Sequence, residues 1–329
     1  MNKKNLFNRF IGTTSIPLTT FIAVNLICVF QGVKLFETAG NYIVFFRSTA
    51  SVMLTTIALS INLDSGRFDF SIGSVALLSS VISATIALNA NLSVWTMLII
   101  SVFVGAILGL ISGLTYVVVK LPPIIISLGV ALLYEGIAFV ITNGFGVSFV
   151  TNIELTSFPN VINYLVIISI SLLLVTLVFD YTEFGYSYRA LQTGQKVAVT
   201  TGIREVKNAV VCYVISGSLM GVVGFISATH TGTIQMALNF ASIGVMFTAF
   251  LPMFIGGYIR RFTNANIGYL MGAVTTAFIS LMYARVNVDS SIQQIVTAII
   301  LVAFLIYLNN EKAIGRIINL IKKRGNNEI

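Results

Sequence analysis

Along its length the chain alternates long apolar runs with short polar breaks. Ten runs approach or exceed the roughly 20 residues needed to cross a bilayer: Ile16–Val33, Tyr42–Ile61, Phe70–Leu88, Val94–Val119, Ile124–Ile141, Val161–Phe179, Ala209–Ala228, Ile243–Ile259, Ile267–Tyr283 and Ile292–Leu308. A segment in hydrocarbon must satisfy its backbone internally, so these runs read as helices. The pattern predicts an all-α polytopic membrane protein of about ten transmembrane helices, forming one transmembrane domain over residues 1–329. No clear internal repeat is visible.

The polar breaks carry the distinguishing residues. Asn62–Asp69 separates the second and third runs, and Lys120 with the pair Pro122-Pro123 separates the fourth and fifth. The longest interruption lies between the sixth and seventh runs, at about residues 180–208. Within it, Thr193-Gly194-Gln195-Lys196-Val197-Ala198-Val199-Thr200-Thr201-Gly202-Ile203 reads as one short helix, with Thr193 as its cap and Gly202 as a left-handed stop. Its surface of small residues suits docking into a groove on another protein.

Composition narrows the class. Of 329 residues, 57% are hydrophobic and 9% charged; a soluble domain carries about 25% charged residues. With the N-terminus inside, sixteen of the nineteen Lys and Arg residues fall on inner segments, and only Lys34, Arg47 and Arg285 fall outside. Basic residues collect on the cytoplasmic side, so both termini, the 180–208 loop and a basic tail at about 310–329 are expected there. The net charge of +8 is scattered over span ends and does not suggest nucleic-acid binding. The first run follows a basic segment without a small-residue cleavage site and reads as a retained span. Cys28 and Cys212 lie far apart in apolar runs, as buried thiols do.

Several residues are candidates for chemistry. Asp69, Ser71, Gly73 and Ser74 sit where a polar loop re-enters the membrane. Asp69 either caps the third span through the amides of Ser71 or Ile72, or helps unwound backbone line a solute path. Glu135 lies well inside the fifth run, where an ionisable group is paired or faces a cavity. Its partners are Arg47, in the outer third of the second run, or neighbouring hydroxyls; Arg47 alternatively snorkels to the outer surface. Lys196, near the positive end of the short helix, is either a partner-recognition residue or a solvated lysine. Gly105, Gly109 and Gly113, then Gly217, Gly221 and Gly224, then Gly268 and Gly272, suit close helix packing. Pro252 is expected to kink the eighth span. His230 reads as a residue of an outer loop, and Trp95, Tyr134 and Tyr258 as belt aromatics or stacking surfaces.

Four stretches in order resemble the permease subunits of bacterial ABC importers for ribose and related sugars, a family with autoinducer-2 and nucleoside-type members. They are Arg67–Ser74, Lys120–Gly129, Gly185–Ile203 and Ile255-Gly256-Gly257, and the likeness spans roughly residues 40–310. The chain departs from the family pattern at Arg67-Phe68, where a glycine pair is usual, and at Lys196, where an acidic residue is usual. Ala241-Ser242-Ile243 stand in place of an acidic pair, and Glu135 stands where arginine is commoner. The resemblance implies a permease in a bacterial cell membrane, working as a dimer with a same or related second permease subunit. It implies cytoplasmic ATP-binding cassette subunits on Thr193–Ile203, an external solute-binding protein and a small polar solute, most simply a sugar. Arg47, Asp69, Ser71, Gly73, Ser74, Pro122, Pro123 and Glu135 are the candidates for the path. The chain has no Gly-x-x-x-x-Gly-Lys-Ser/Thr pattern, so ATP and Mg would sit on the partner subunits and this chain carries no cofactor of its own. A secondary transporter or channel would require an intramembrane ion relay, and a membrane enzyme a cluster of His, Asp or Cys; neither pattern is visible.

Overall fold

A computed structural model describes residues 3–325; the chain ends at 1–2 and 326–329, including the last of the basic tail, lie outside the described residues. In order, the elements are α1 (Lys3–Phe30), α2 (Ala39–Leu63), α3 (Ile72–Asn89), α4 (Val94–Val119), α5 (Pro123–Ile141), β1 (Val147–Ser148), α6 (Ile153–Thr156), α7 (Val161–Tyr181), α8 (Glu183–Thr200), α9 (Glu205–Thr231), β2 (Thr233–Ile234), a 3₁₀ turn (Ala241–Ile243), α10 (Gly244–Ile259), α11 (Ala265–Val286) and α12 (Ser290–Gly325). Ten of these segments are long and apolar enough to cross a membrane, matching the ten runs read from sequence. The connections fall on two faces. One carries α8 with the 64–71, 120–122 and 260–264 turns. The other carries β1, α6 and β2, where Val147 pairs with Ile234 and Ser148 with Thr233.

Helix boundaries follow local chemistry. Ser93 Oγ accepts from Thr96 N–H at the start of α4, and Asn264 Oδ1 accepts from Asn266 N–H at the start of α11. Lys120 ends α4 in the left-handed region (φ 56°). Pro122 is then extended, as a residue before proline must be, and Pro123 opens α5 where its missing N–H is harmless.

The centre is α2, α3, α4 and α9, and its closest contact is between α4 and α9. Lipid gives helices no hydrophobic reason to associate, so backbone approach and dispersion must do it. The glycine ladders read from sequence supply that approach. A Cβ on Gly105 would lie 2.3 Å from the Gly217 carbonyl oxygen, and one on Gly221 would lie 2.3 Å from that of Ser101. Ser101 Oγ donates across the same seam to the Gly221 carbonyl, 2.8 Å. Gly272 meets the Pro252 carbonyl in the same way and seats α11 on α10. A second apolar cluster joins α1, α10, α11 and the start of α2 around Cys28, Leu251, Leu281 and Tyr283. Both cysteines are buried and free.

Gly217→Val should therefore force α4 and α9 apart and destabilise the chain by roughly 1–3 kcal/mol or more. The check is the melting temperature of the full chain in lipid nanodiscs. Gly136→Ala, where nothing lies within 4 Å of the added carbon, should leave it unchanged.

Candidate functional site

An open cleft of about 640 Å³ lies between α2, α3, α9, β2 and α10. Its wall is largely hydroxyl and amide. Ser48, Ser51 and Thr55 recur at helical spacing on α2; Ser80 comes from α3, Ser227 and Thr231 from α9, and Gln235, Ser242 and Thr248 from the chain that follows. Among the described residues no carboxylate lines it, and Arg47 is the only charged lining residue. Two hydroxyl positions on α9 one turn apart, and three on α2, were visible in the sequence but passed unremarked, because Ser and Thr also bond back to their own helix.

The cleft owes its floor to the turn that precedes α10. Asn239 and Phe240 both have positive φ (57° and 65°), the left-handed conformation that side chains resist. Glu135 holds that turn from α5: Oε2 accepts from Phe240 N–H at 3.0 Å and Oε1 from Ser242 N–H at 2.9 Å. Glu135 is 1% exposed. Its partners are thus two backbone amides, neither Arg47 nor hydroxyls as the sequence had suggested, and among the described residues no ion pair joins it to Arg47. Gly73 completes the clamp from α3, because a Cβ there would lie 1.9 Å from the Ser242 carbonyl oxygen. Pro252, inside α10, has no N–H to offer the carbonyl of Thr248 on the cleft wall.

The other path candidates sit elsewhere. Asp69 Oδ1 accepts from Ser71 N–H (2.9 Å) and Ser71 Oγ (2.6 Å), and Asn62 Nδ2 donates to Oδ2 (3.3 Å). Ser74 Oγ donates to the Ser71 carbonyl. Asp69, Ser71 and Ser74 thus form the buried turn that starts α3, two residues later than the apolar run suggested, and do not line the cleft. Burial pushes the Asp69 carboxyl above its ordinary value, while the two bonds from Ser71 pull the other way. Pro122 and Pro123 set the start of α5 on the α8 face, away from the cleft. Tyr134 Oη donates to the Leu108 carbonyl at 2.7 Å and ties α5 to α4, with the side chain buried. Trp95 packs edge-on against Phe158, and Tyr258 lies under the Arg261 guanidinium. His230 occupies the last turn of α9 rather than a loop.

On the far face, α8 is two helices. Gly194 is extended (φ −174°, ψ 89°), so the helix expected over Thr193–Ile203 begins after it. Thr193 does not cap it: its Oγ1 donates back to the Arg189 carbonyl, 2.9 Å, in the preceding helix. The stop read at Gly202 is present (φ 95°), closed by Ile203 N–H to the Ala198 carbonyl and Gly202 N–H to that of Val199. The first half of α8 is bolted to the membrane body. Tyr188 Oη donates to the Ile61 carbonyl (3.0 Å), Arg189 bonds the Phe179 carbonyl and Asp180 Oδ1, and Asn264 Nδ2 donates to Asp180 Oδ2. The second half shows Lys196 exposed, Val197 68% exposed and Val199 44% exposed, while Ala198 is buried and Gln195 Nε2 donates to Glu205 Oε1 at the start of α9.

This arrangement of helices, cleft and projecting arm coincides with a family match. Residues 43–306 match the model of the branched-chain amino acid transport system / permease component family. The chain belongs to that permease family. It is 23% identical over 321 residues to the fructose import permease protein FruG of Bifidobacterium longum, covering 91% of this chain and 92% of that one. It is 26% identical over 252 residues to FruF of the same organism, covering 73% of this chain and 69% of that one. To the autoinducer 2 import system permease protein LsrC of Photorhabdus luminescens it is 23% identical over 267 residues, covering 80% of each. No solved structure matches the chain.

One further set of residues in the permease went unread in the sequence. Asp64, Asp180, Arg189, Arg260, Asn264 and Tyr269 surround a small cavity of about 90 Å³ between α2, α7, α8 and α11. Arg260 lies 3.9 Å from Asp64, and Tyr269 Oη donates to the same carboxylate at 3.3 Å. Burial raises the Asp64 carboxyl, and the Arg260 charge lowers it. These residues are far apart in sequence, and nothing in their spacing announces the cluster.

Removing the Glu135 carboxylate should expose its role. Glu135→Ala leaves two amide donors without acceptors, each costing roughly 1–3 kcal/mol when buried. Hydrogen exchange at Phe240 and Ser242 should accelerate well beyond that of the α4–α9 seam.

Proposed function

We propose that the chain is the membrane subunit of an ATP-driven importer for a small polar solute, with the α8 face in the cytoplasm. The observation that carries this reading is the build of α8. A helical arm is anchored by Tyr188, Arg189 and Asp180, breaks at Gly194, and presents Lys196, Val197 and Val199 outward. An ATP-binding cassette subunit that grips the exposed half pulls on a lever whose anchored half touches α2 and α7 and reaches α11 through Asn264. The charge asymmetry supports the orientation, since Arg67, Lys120, Arg189, Lys196, Arg260 and Arg261 all lie on that face. ATP and Mg would be held by the partner subunits.

The opposite face, with the β1–β2 pair, would receive solute from an external binding protein. A second permease subunit, same or related, would complete the path. The hydroxyl-lined cleft suits a sugar or a similar compound, in keeping with relatives named for fructose and autoinducer-2 import. Transport then follows from differential affinity for outward- and inward-open states, with no covalent step on the solute.

The test is capture of the ATPase subunit by the full-length chain in membranes. Burying a valine side chain contributes roughly 1.5–3 kcal/mol, so Val197→Asp should weaken capture by about tenfold or more, and Lys196→Glu should weaken it as well. Because both native cysteines are buried, Lys196→Cys in the same chain supplies one accessible thiol. Labelling of that thiol from outside intact cells, or undiminished capture by Val197→Asp, would overturn the reading.

A further inference from the structure

Arg47 lies eight residues into α2, roughly 12 Å along the helix from its start at Ala39. It is half-buried and lines the cleft, and among the described residues it makes no hydrogen bond or ion pair. The buried carboxylates Glu135 and Asp69 are committed elsewhere, Glu135 to Phe240 and Ser242, and Asp69 to Ser71 and Asn62. Tyr164 and His230 are the titratable neighbours that feel its charge, and neither supplies an anion at neutral pH. A cation at membrane depth without a counter-ion is costly unless its cavity is wet or its ligand is negative.

Two more features point to a ligand. Ser242 Oγ is buried without a partner, although Ser242 lines the cleft. The amides at the turn before α10, a natural anion cradle, are already occupied by Glu135. An acidic group in this cleft therefore has one cationic place to go.

We propose that the cleft selects a hydroxylated solute carrying one anionic group, a carboxylate or a phosphate, with Arg47 as its counter-ion and Ser242 Oγ among its hydroxyl partners. This rests on reading the cleft as the solute path. A charged hydrogen bond of this kind is worth about tenfold or more in affinity.

The experiment measures ligand-induced stabilisation of the full-length chain in lipid nanodiscs with matched pairs: galacturonate against galactose, and ribose 5-phosphate against ribose. The anion of at least one pair should raise the melting temperature at concentrations about tenfold below its neutral partner, and which pair responds distinguishes carboxylate from phosphate. Arg47→Gln should abolish the preference and Arg47→Lys should keep part of it. Equal response within both pairs, or a preference that survives Arg47→Gln, overturns the inference. If Arg47→Gln does not fold, the wild-type pairs and Arg47→Lys still decide. Retained ATPase capture alongside an indifferent cleft would sink this inference and leave the importer reading standing; lost capture alongside an anion-selective cleft would do the reverse.

Discussion

A peptide group in hydrocarbon has no water to fall back on, and every departure from helix inside the membrane must find its hydrogen bonds within the protein. The bend before α10 meets that demand through a single side chain. Both oxygens of Glu135 are used on the amides of Phe240 and Ser242. With that carboxylate in place, two consecutive residues can hold positive φ, the chain can double back against α3 at Gly73, and the cleft acquires a floor. A buried carboxylate is expensive when alone; here backbone donors compensate it without any cation.

That arrangement has an electrostatic consequence. An acid whose charge is satisfied locally leaves the one base of the cleft unmatched. Arg47 and Glu135 are the two intramembrane charges the sequence makes conspicuous, and pairing them is the obvious guess. The fold separates them instead, giving one to the scaffold and the other to the cavity wall.

The same economy holds at the other end of the molecule. The first half of α8 is fastened by its own Tyr188 to the Ile61 carbonyl of α2 and by Arg189 to Phe179 and Asp180 of α7, and the second half follows Gly194, whose backbone is not helical. The anchored half, the break at Gly194 and the exposed half all lie within nineteen residues, Glu183–Thr201. A small polar cavity bordered by Asp64, Arg260 and Tyr269 lies between α8 and the spans. Asp64 and Arg260 stand 3.9 Å apart and partly exposed, a weak contact able to break and reform.

By itself the sequence determined the ten spans, the faces on which their ends collect, the glycine seams and the stop at Gly202. All of these depend on local composition or on the period of a single helix, and local physics writes them directly into residue order. Tertiary structure alone decided where Glu135 points, which of the two readings of Asp69 its hydrogen bonds follow (the Ser71 amide, as one of them had it), that Tyr134 ties two helices together, and that the helix of the 180–208 loop starts after Gly194. A side chain's hydrogen-bond partner depends on which distant backbone lies within about 3 Å, and no spacing along one chain encodes a separation of 105 residues. The Arg67-Phe68 departure from the family pattern shows the same limit: Arg67 proves to be 3% exposed, a burial that its place in a polar break gave no reason to expect.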